Sequence, residues 1–248
     1  MRQAGRCKGD LALLEGPHLV AEAIAAGVEL VDVLASPQFL DSAPGRRLAT
    51  TLAPSPVAVE AELLASLLDA DSPRGLAAVA RLPRAPLAAL PHRAGGVYLY
   101  LAGIQDPGNL GALARSAEAA GAAGLVLAAG SAHPNHPRAL RASAGSLLRL
   151  PVAVGVELEA LVEHLAPLAP RRVALATRDG IDPWSADLTG TLILLLGAEG
   201  PGLPETLVRR AELALTIPLA GGVESLNVTV AASLVLFEIR RRRLAGGG

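Results

Sequence analysis

Apolar residues follow two patterns along this chain, namely short all-apolar runs and stretches with helical spacing. From Val97 onward, the runs VYLYLAGI, LVLAA, VALAT and TLILLLG are apolar throughout, as strands of a parallel sheet covered on both faces are. Between the first two runs, the pattern predicts a helix from about Leu110 to Ala120 that Gly121 closes. A last helix is predicted from about Asn227 to Arg243. We therefore expect an α/β domain built on a parallel sheet.

The first 82 residues alternate helical and β-like stretches, which predicts a smaller α/β domain. Pro17 suits the start of a helix, and Gly27 suits its end. Residues 83–96 contain prolines and glycines without sustained periodicity, which is typical of an interdomain linker. The predicted domains are therefore residues 1–82 and 97–248.

Composition restricts the class of protein. The chain has 248 residues and a formal net charge of −1, so any contact with nucleic acid must come from local clusters of charge. No segment reaches the roughly 18 to 20 apolar residues that a membrane span needs. Asp10 and Glu15 interrupt any signal-peptide core, and the single Cys7 cannot form an internal disulfide. We expect a soluble cytoplasmic protein.

The first stretch with possible chemistry is QDPGNLGALARSAEAAG, where a strand ends in a turn that leads into a helix. Ligands often bind at such strand ends. Gly108 and Gly111 are spaced GxxG rather than GxGxxG, which argues against an NAD-dependent oxidoreductase. A purely structural interpretation is also open, in which Asn109 caps the helix and Arg115 pairs with Glu118.

Two further stretches could bind a ligand. In LLLGAEGPGLP, an apolar strand runs into three glycines around a single carboxylate, Glu199. In IPLAGGVESLNVTVAASLVLFEIRRRR, Ser225 and Asn227 precede the last helix, and either could be its N-cap. The run from Arg240 to Arg243 suits either a solvated helix end or an RNA-binding patch.

Metal and serine-hydrolase chemistry find little support. His133 and His136 bracket a turn, but no cysteine or carboxylate lies close enough in sequence to complete a tetrahedral site. We therefore predict no metal. The serines have no GxSxG context, which argues against a nucleophile elbow.

The three stretches, in this order and at these separations, resemble the SpoU (TrmH) family of RNA ribose methyltransferases, a branch of the SPOUT class. The segments that carry the resemblance are NLGALARSAEAAGA, LLLGAEGPGL and IPLAGGVESLNVTVAASLVLFE, and it covers roughly residues 97–243. Residues 1–82 are similar to an L30e-like RNA substrate-binding domain. The resemblance implies a deep trefoil knot in the C-terminal domain, a homodimer, S-adenosylmethionine as cofactor, and ribosomal RNA in preference to transfer RNA.

The resemblance also implies a role for individual residues. The polar active-site positions are Asn109, Arg115, Glu199, Ser225 and Asn227, and the cofactor-binding positions are Gly197, Ile217 and Leu226. Arg115 could act as a general base, as proposed for the family, or stabilise negative charge. Many members have asparagine where this chain has Ala198, which leaves the substrate open. A noncatalytic RNA-binding protein of the same fold is the alternative.

Overall fold

Two β-sheets organise the chain, and the change from one to the other falls between Arg81 and Val97. The computed structural model describes residues 9–68 and 74–246, so Cys7 lies outside the described residues. The N-terminal part contains, in chain order, β1 (Leu11–Glu15), α1 (Pro17–Ala25), β2 (Glu29–Ala35), α2 (Pro37–Asp41), α3 (Ala43–Ala49), β3 (Val57–Ala58), α4 (Ala61–Leu67) and β4 (Leu76–Arg81).

The N-terminal sheet has four strands in the order β1-β4-β2-β3. Strand β4 is antiparallel to both β1 and β2, whereas β2 and β3 are parallel. As predicted, α1 begins at Pro17, and Gly27 just beyond its end has a left-handed φ of 70°. The assignment of this unit as an L30e-like domain that ends at residue 82 stays a prediction.

The C-terminal part is larger and begins after a 3₁₀-helix, Leu87–Ala89, in the predicted linker. It contains β5 (Val97–Ala102), α5 (Pro107–Ala120), β6 (Gly124–Leu127), α6 (Pro137–Ser143), α7 (Ser146–Arg149), β7 (Val152–Val154), α8 (Leu158–His164), a second 3₁₀-helix (Ala166–Leu168), β8 (Arg171–Leu175), β9 (Leu192–Gly197), α9 (Glu205–Val208), β10 (Leu213–Leu215) and α10 (Val228–Gly246).

The predicted parallel sheet is confirmed. It has six strands in the order β10-β8-β9-β5-β6-β7, and every neighbouring pair is parallel. The central strand β9 is buried at each residue, which explains why its sequence is apolar throughout. The trefoil knot that the resemblance implies stays a prediction.

One cluster of buried apolar residues connects the two sheets, and it includes Leu14 from β1 and Leu140 from α6. At the same interface, Arg141 of α6 forms an ion pair with Glu15, whose side chain is only 1% exposed. Asn135 is also buried there, and its Nδ2 donates to the carbonyl of Leu82 at 3.1 Å. The N-terminal unit is therefore packed against the C-terminal unit through both apolar and charged contacts.

The C-terminal helix α10 packs against α5. Arg240, Arg241 and Arg243 are exposed, in agreement with a solvated helix end. Two of the arginines also bind Glu238 within the helix, Arg241 Nε at 2.8 Å and Arg242 Nε at 2.6 Å. Arg242 also donates to the carbonyls of Pro183 and Trp184, at 2.8 and 2.7 Å. Arg242 thus connects the segment between β8 and β9 to the helix. Within the described ranges, no helix is long and apolar enough to cross a membrane.

Candidate active site

The carboxyl ends of β5 and β9 bring two of the predicted residues together. These strands are neighbours in the sheet, and the chain continues from β5 to one side and later returns on the other. Such a switch in strand order opens a crevice where α/β proteins bind ligands. Asn109 follows β5, Glu199 follows β9, and Asn109 Nδ2 donates to Glu199 Oε1 at 2.7 Å.

Asn227 joins the same network from the start of α10. Its Nδ2 donates to Asn109 Oδ1 at 3.1 Å. Its Oδ1 accepts the backbone N–H of Thr229 at 2.9 Å, so Asn227 also caps the helix. The capping interpretation of Asn109 is wrong, because Asp106 Oδ1 accepts the Asn109 N–H at 2.9 Å and is the N-cap of α5. The Asn109 side chain is therefore committed to Glu199 and Asn227.

Gly197 lets the loop after β9 fold back over the end of the strand. A Cβ at this position would lie 2.0 Å from the backbone nitrogen of Leu203, far inside contact distance. The loop is closed by a hydrogen bond from the Gly202 N–H to the carbonyl of Ala198 at 3.0 Å. Any side chain at Gly197 would displace this loop and with it Glu199.

A cavity of ≈ 340 Å³ lies between this loop and the segment that precedes α10. It brings together six of the eight predicted site residues: Gly197, Glu199, Ile217, Ser225, Leu226 and Asn227. The walls combine apolar and polar surface, and the volume is in the range of small-molecule sites. Sequence reasoning missed Thr177 and Glu224, which also line the cavity. Thr177 could have been predicted from its position just after β8, because the carboxyl ends of parallel strands lie at one edge of the sheet, where ligands bind.

Arg115 and Ser225 stand apart from the hydrogen-bonded network. Arg115 is exposed on α5, does not line the cavity, and forms no hydrogen bond or ion pair with the described residues. Its predicted partner, Glu118, is held instead by Arg149 at 2.7 Å, and these hydrogen bonds lower the pKa of Glu118. Ser225 is exposed at the cavity and does not cap α10. Both side chains are therefore available to a ligand.

The histidines considered for metal binding have structural positions. His133 Nδ1 accepts the N–H of Asn135, and His136 Nδ1 accepts the N–H of Arg138, both at 3.1 Å. His136 is in this way the N-cap of α6. Among the described residues, no group of three His, Cys, Asp or Glu could hold a metal ion.

Known proteins share this sequence and architecture. The SpoU rRNA Methylase family model matches residues 96–237. A Synechocystis protein named as an uncharacterized tRNA/rRNA methyltransferase is 33% identical, over 97% of this chain and 88% of its own. The 23S rRNA (uridine(2479)-2'-O)-methyltransferase of Streptomyces viridochromogenes is 31% identical, over 97% of this chain and 86% of its own.

The architecture also matches a solved structure over nearly the whole chain. The SpoU methyltransferase AviRb from Streptomyces viridochromogenes, in complex with AdoMet, superposes with a TM-score of 0.87 at 28% identity. The match covers 95% of this chain and 91% of AviRb. This chain belongs to the SpoU rRNA methylase family.

Proposed function

We propose that this protein transfers a methyl group from S-adenosylmethionine to a ribose 2'-hydroxyl of ribosomal RNA. One observation carries the proposal: Asn109 is hydrogen-bonded to both Glu199 and Asn227, and these two residues line a cavity of small-molecule size. The relatives support the reaction, since they include a 23S rRNA 2'-O-methyltransferase and a family member in complex with AdoMet.

The cavity suits the cofactor chemically. Ile217 and Leu226 provide apolar surface for an adenine ring, and Gly197 permits the close fold of the loop that forms part of the cavity wall. When bound, S-adenosylmethionine supplies a methyl group on a positively charged sulfur, and the bond from sulfur to methyl breaks as the bond from the 2'-oxygen forms. The protein must therefore place a hydroxyl in line with that methyl group.

A ribose hydroxyl is a poor nucleophile near neutral pH, so positioning and charge stabilisation must lower the barrier. Glu199, Ser225 and Asn227 orient the ribose at the cavity mouth, and the hydroxyl proton leaves to the adjoining solvent. Arg115 holds an RNA phosphate and stabilises negative charge that develops on the 2'-oxygen. A general-base role for Arg115 is less favoured, because an exposed guanidinium is a cation that donates hydrogen bonds and has no acceptor atom.

A homodimer would complete this site. Arg115 does not line the cavity of its own subunit, and a partner subunit would allow it to act at the partner's cavity. Helix α10 exposes Val230, Leu234 and Phe237 at 48%, 43% and 48%, at the i, i+4, i+7 spacing of one helix face. Contiguous apolar surface of this kind marks an interface, and a twofold dimer on this face would bury it. The partner subunit's Arg115 would then complete the site.

Phe237→Arg tests the dimer. We expect the wild type to sediment as a dimer and the variant as a monomer that binds cofactor but no longer transfers methyl groups. Leu63→Arg is the matched control, because Leu63 is 56% exposed on α4, far from α10 in sequence. A monomeric wild type, or a Phe237 variant that stays dimeric, would contradict this arrangement.

The N-terminal unit is proposed to select the RNA. Arg47 and Arg74 are exposed on it and form no ion pair with the described residues, which leaves both cations available to phosphates. Reversing both charges should weaken RNA binding in a filter assay and leave cofactor affinity unchanged. Equal loss of both affinities would contradict this division of roles.

Transfer of tritiated methyl to unmodified RNA tests the reaction itself. Ribosomal and transfer RNA are offered separately, DNA of the same sequence serves as the control without a 2'-hydroxyl, and the labelled nucleosides are identified. We expect 2'-O-methylnucleoside in ribosomal RNA. Label in transfer RNA alone would change the substrate, and cofactor binding without transfer would indicate a noncatalytic RNA-binding protein. Absence of cofactor binding would refute the proposal.

A further inference from the structure

The cofactor cavity carries negative charge that the network around Asn109 does not neutralise. Within the described part of the chain, its ionisable lining residues are two carboxylates, Glu199 and Glu224, and no arginine, lysine or histidine lines it. Glu199 accepts a hydrogen bond from a neutral amide, which leaves its charge in place. Glu224 forms no hydrogen bond or ion pair with the described residues.

Glu224 lies in the segment that leads into α10, three positions before the helix cap Asn227. Ser225, Leu226 and Asn227 all line the same cavity, so the whole turn faces the ligand. Glu224 is exposed, which means that solvent screens its charge without removing it. Its negative charge therefore acts over the few ångströms to whatever the cavity holds.

The two forms of the cofactor differ in charge while sharing nearly all of their shape. S-adenosylmethionine carries a positive sulfur, and the product left after transfer carries a neutral sulfide. Apolar and backbone contacts with the adenosine are common to both forms and cannot separate them. A charge in the cavity wall can, because its interaction with the two forms differs by a full unit of charge.

We propose that Glu224 makes the cavity discriminate between the charged cofactor and its neutral product, binding the first more tightly and so easing release of the second. This inference rests on the proposed methyl transfer. At a partly solvated site, one carboxylate a few ångströms from a cation should contribute about fivefold to the ratio of the two affinities. Glu224 is thus a specificity-determining residue for the cofactor rather than a reacting group.

Calorimetric titration of the full-length protein with S-adenosylmethionine and, separately, S-adenosylhomocysteine tests the proposal. Glu224→Gln should weaken binding of the charged form about fivefold and leave the neutral form within about twofold. Glu224→Asp keeps the charge and should keep most of the discrimination. Glu205→Gln is the matched control, because Glu205 is an exposed carboxylate outside the cavity that pairs with Arg209. Raising the ionic strength should reduce the ratio of the wild-type affinities for S-adenosylmethionine and S-adenosylhomocysteine.

The outcomes separate this inference from the function it rests on. If Glu224→Gln weakens both forms equally, Glu224 supports the shape of the loop and the charge proposal is overturned. If neither affinity changes, the charge does not act on the cofactor. If the wild type binds neither form, the proposed function itself fails, and this inference fails with it.

Discussion

Charged residues serve different purposes at the interface between the two sheets and at the cavity. At the interface, Glu15 is buried and forms an ion pair with Arg141, so the two charges compensate each other within the fold. Glu199 and Glu224 at the cavity, and Arg115 outside it, are exposed and have no ion-pair partner among the described residues. The difference teaches that paired, buried charges hold this molecule together, while unpaired, exposed charges are available to substrates.

The energetics of the two regions follow from solvation. Burial lowers the pKa of Arg141, as expected when a cation is removed from water, and Glu15 compensates by direct contact. Removing Arg141 weakens the compensation of the buried Glu15 charge, which is costly. Exposed polar groups can be changed with little effect on folding. Stability and activity should therefore respond to different substitutions.

Arg115→Ala should give the largest effect on activity. Loss of one preorganised positive donor should slow methyl transfer by about 10² to 10³-fold in a single-turnover assay. The melting temperature should change little, because the exposed side chain forms no hydrogen bond or ion pair with the described residues. Arg209→Ala removes another exposed arginine outside the cavity and should keep full activity. An equal decrease in the rate of methyl transfer in both variants would contradict a specific role for Arg115.

Arg141→Ala should show the opposite behaviour, with a loss of about 3 kcal/mol in the free energy of unfolding measured with urea. Arg81→Ala is its control. Arg81 pairs with Glu29 at the surface, where both side chains are about half exposed or more, so its loss should cost at most about 1 kcal/mol. Adding Glu15→Gln to Arg141→Ala should restore part of the stability. Equal losses in the free energy of unfolding for the two variants would show that the buried ion pair stabilises the fold no more than the surface pair does.

Asn227→Asp separates the two roles of Asn227, which caps α10 and donates a hydrogen bond to Asn109. The carboxylate still accepts the Thr229 N–H, so the stability of α10 should be kept. The variant cannot donate to Asn109 Oδ1, so methyl transfer should fall by about tenfold, the value of one lost hydrogen bond. Asn227→Ala, which also loses the cap, should cost about 1 kcal/mol in addition. Full activity of Asn227→Asp would show that the hydrogen bond from Asn227 to Asn109 is not needed for methyl transfer.

Glu238→Gln should have the smallest effect, visible only in acid. Hydrogen bonds from Arg241 and Arg242 lower the pKa of Glu238 from 4.5 to about 2. A carboxylate whose pKa is lowered by folding stabilises the protein fully above its unfolded value, and this contribution is lost as pH falls from 4.5 towards about 2. The urea midpoint of the variant should therefore fall less than that of the wild type over this range. If the urea midpoints of the two proteins change with pH in parallel, Glu238 does not contribute to the pH dependence of stability.

Much of the fold was predictable because hydrophobic spacing is local information. The all-apolar run TLILLLG is observed as the buried strand β9, and Pro17 begins α1 as predicted. Helix α5 begins earlier than its apolar spacing indicated, at Pro107, because Asp106 rather than Asn109 caps it. Local propensity ranks Asp and Asn almost equally as caps, so spacing alone could not choose between them.

The candidate site was predictable only in part, and the limit has a physical cause. The sequence determined which residues could do chemistry at the ends of strands, since strand ends and glycine turns are encoded within a few positions. Only the tertiary structure decided that Asn109 meets Glu199 and Asn227 while Arg115 meets none of them. Those hydrogen bonds join residues 90 and 118 positions apart, and they depend on strand order in the sheet, which local spacing does not determine.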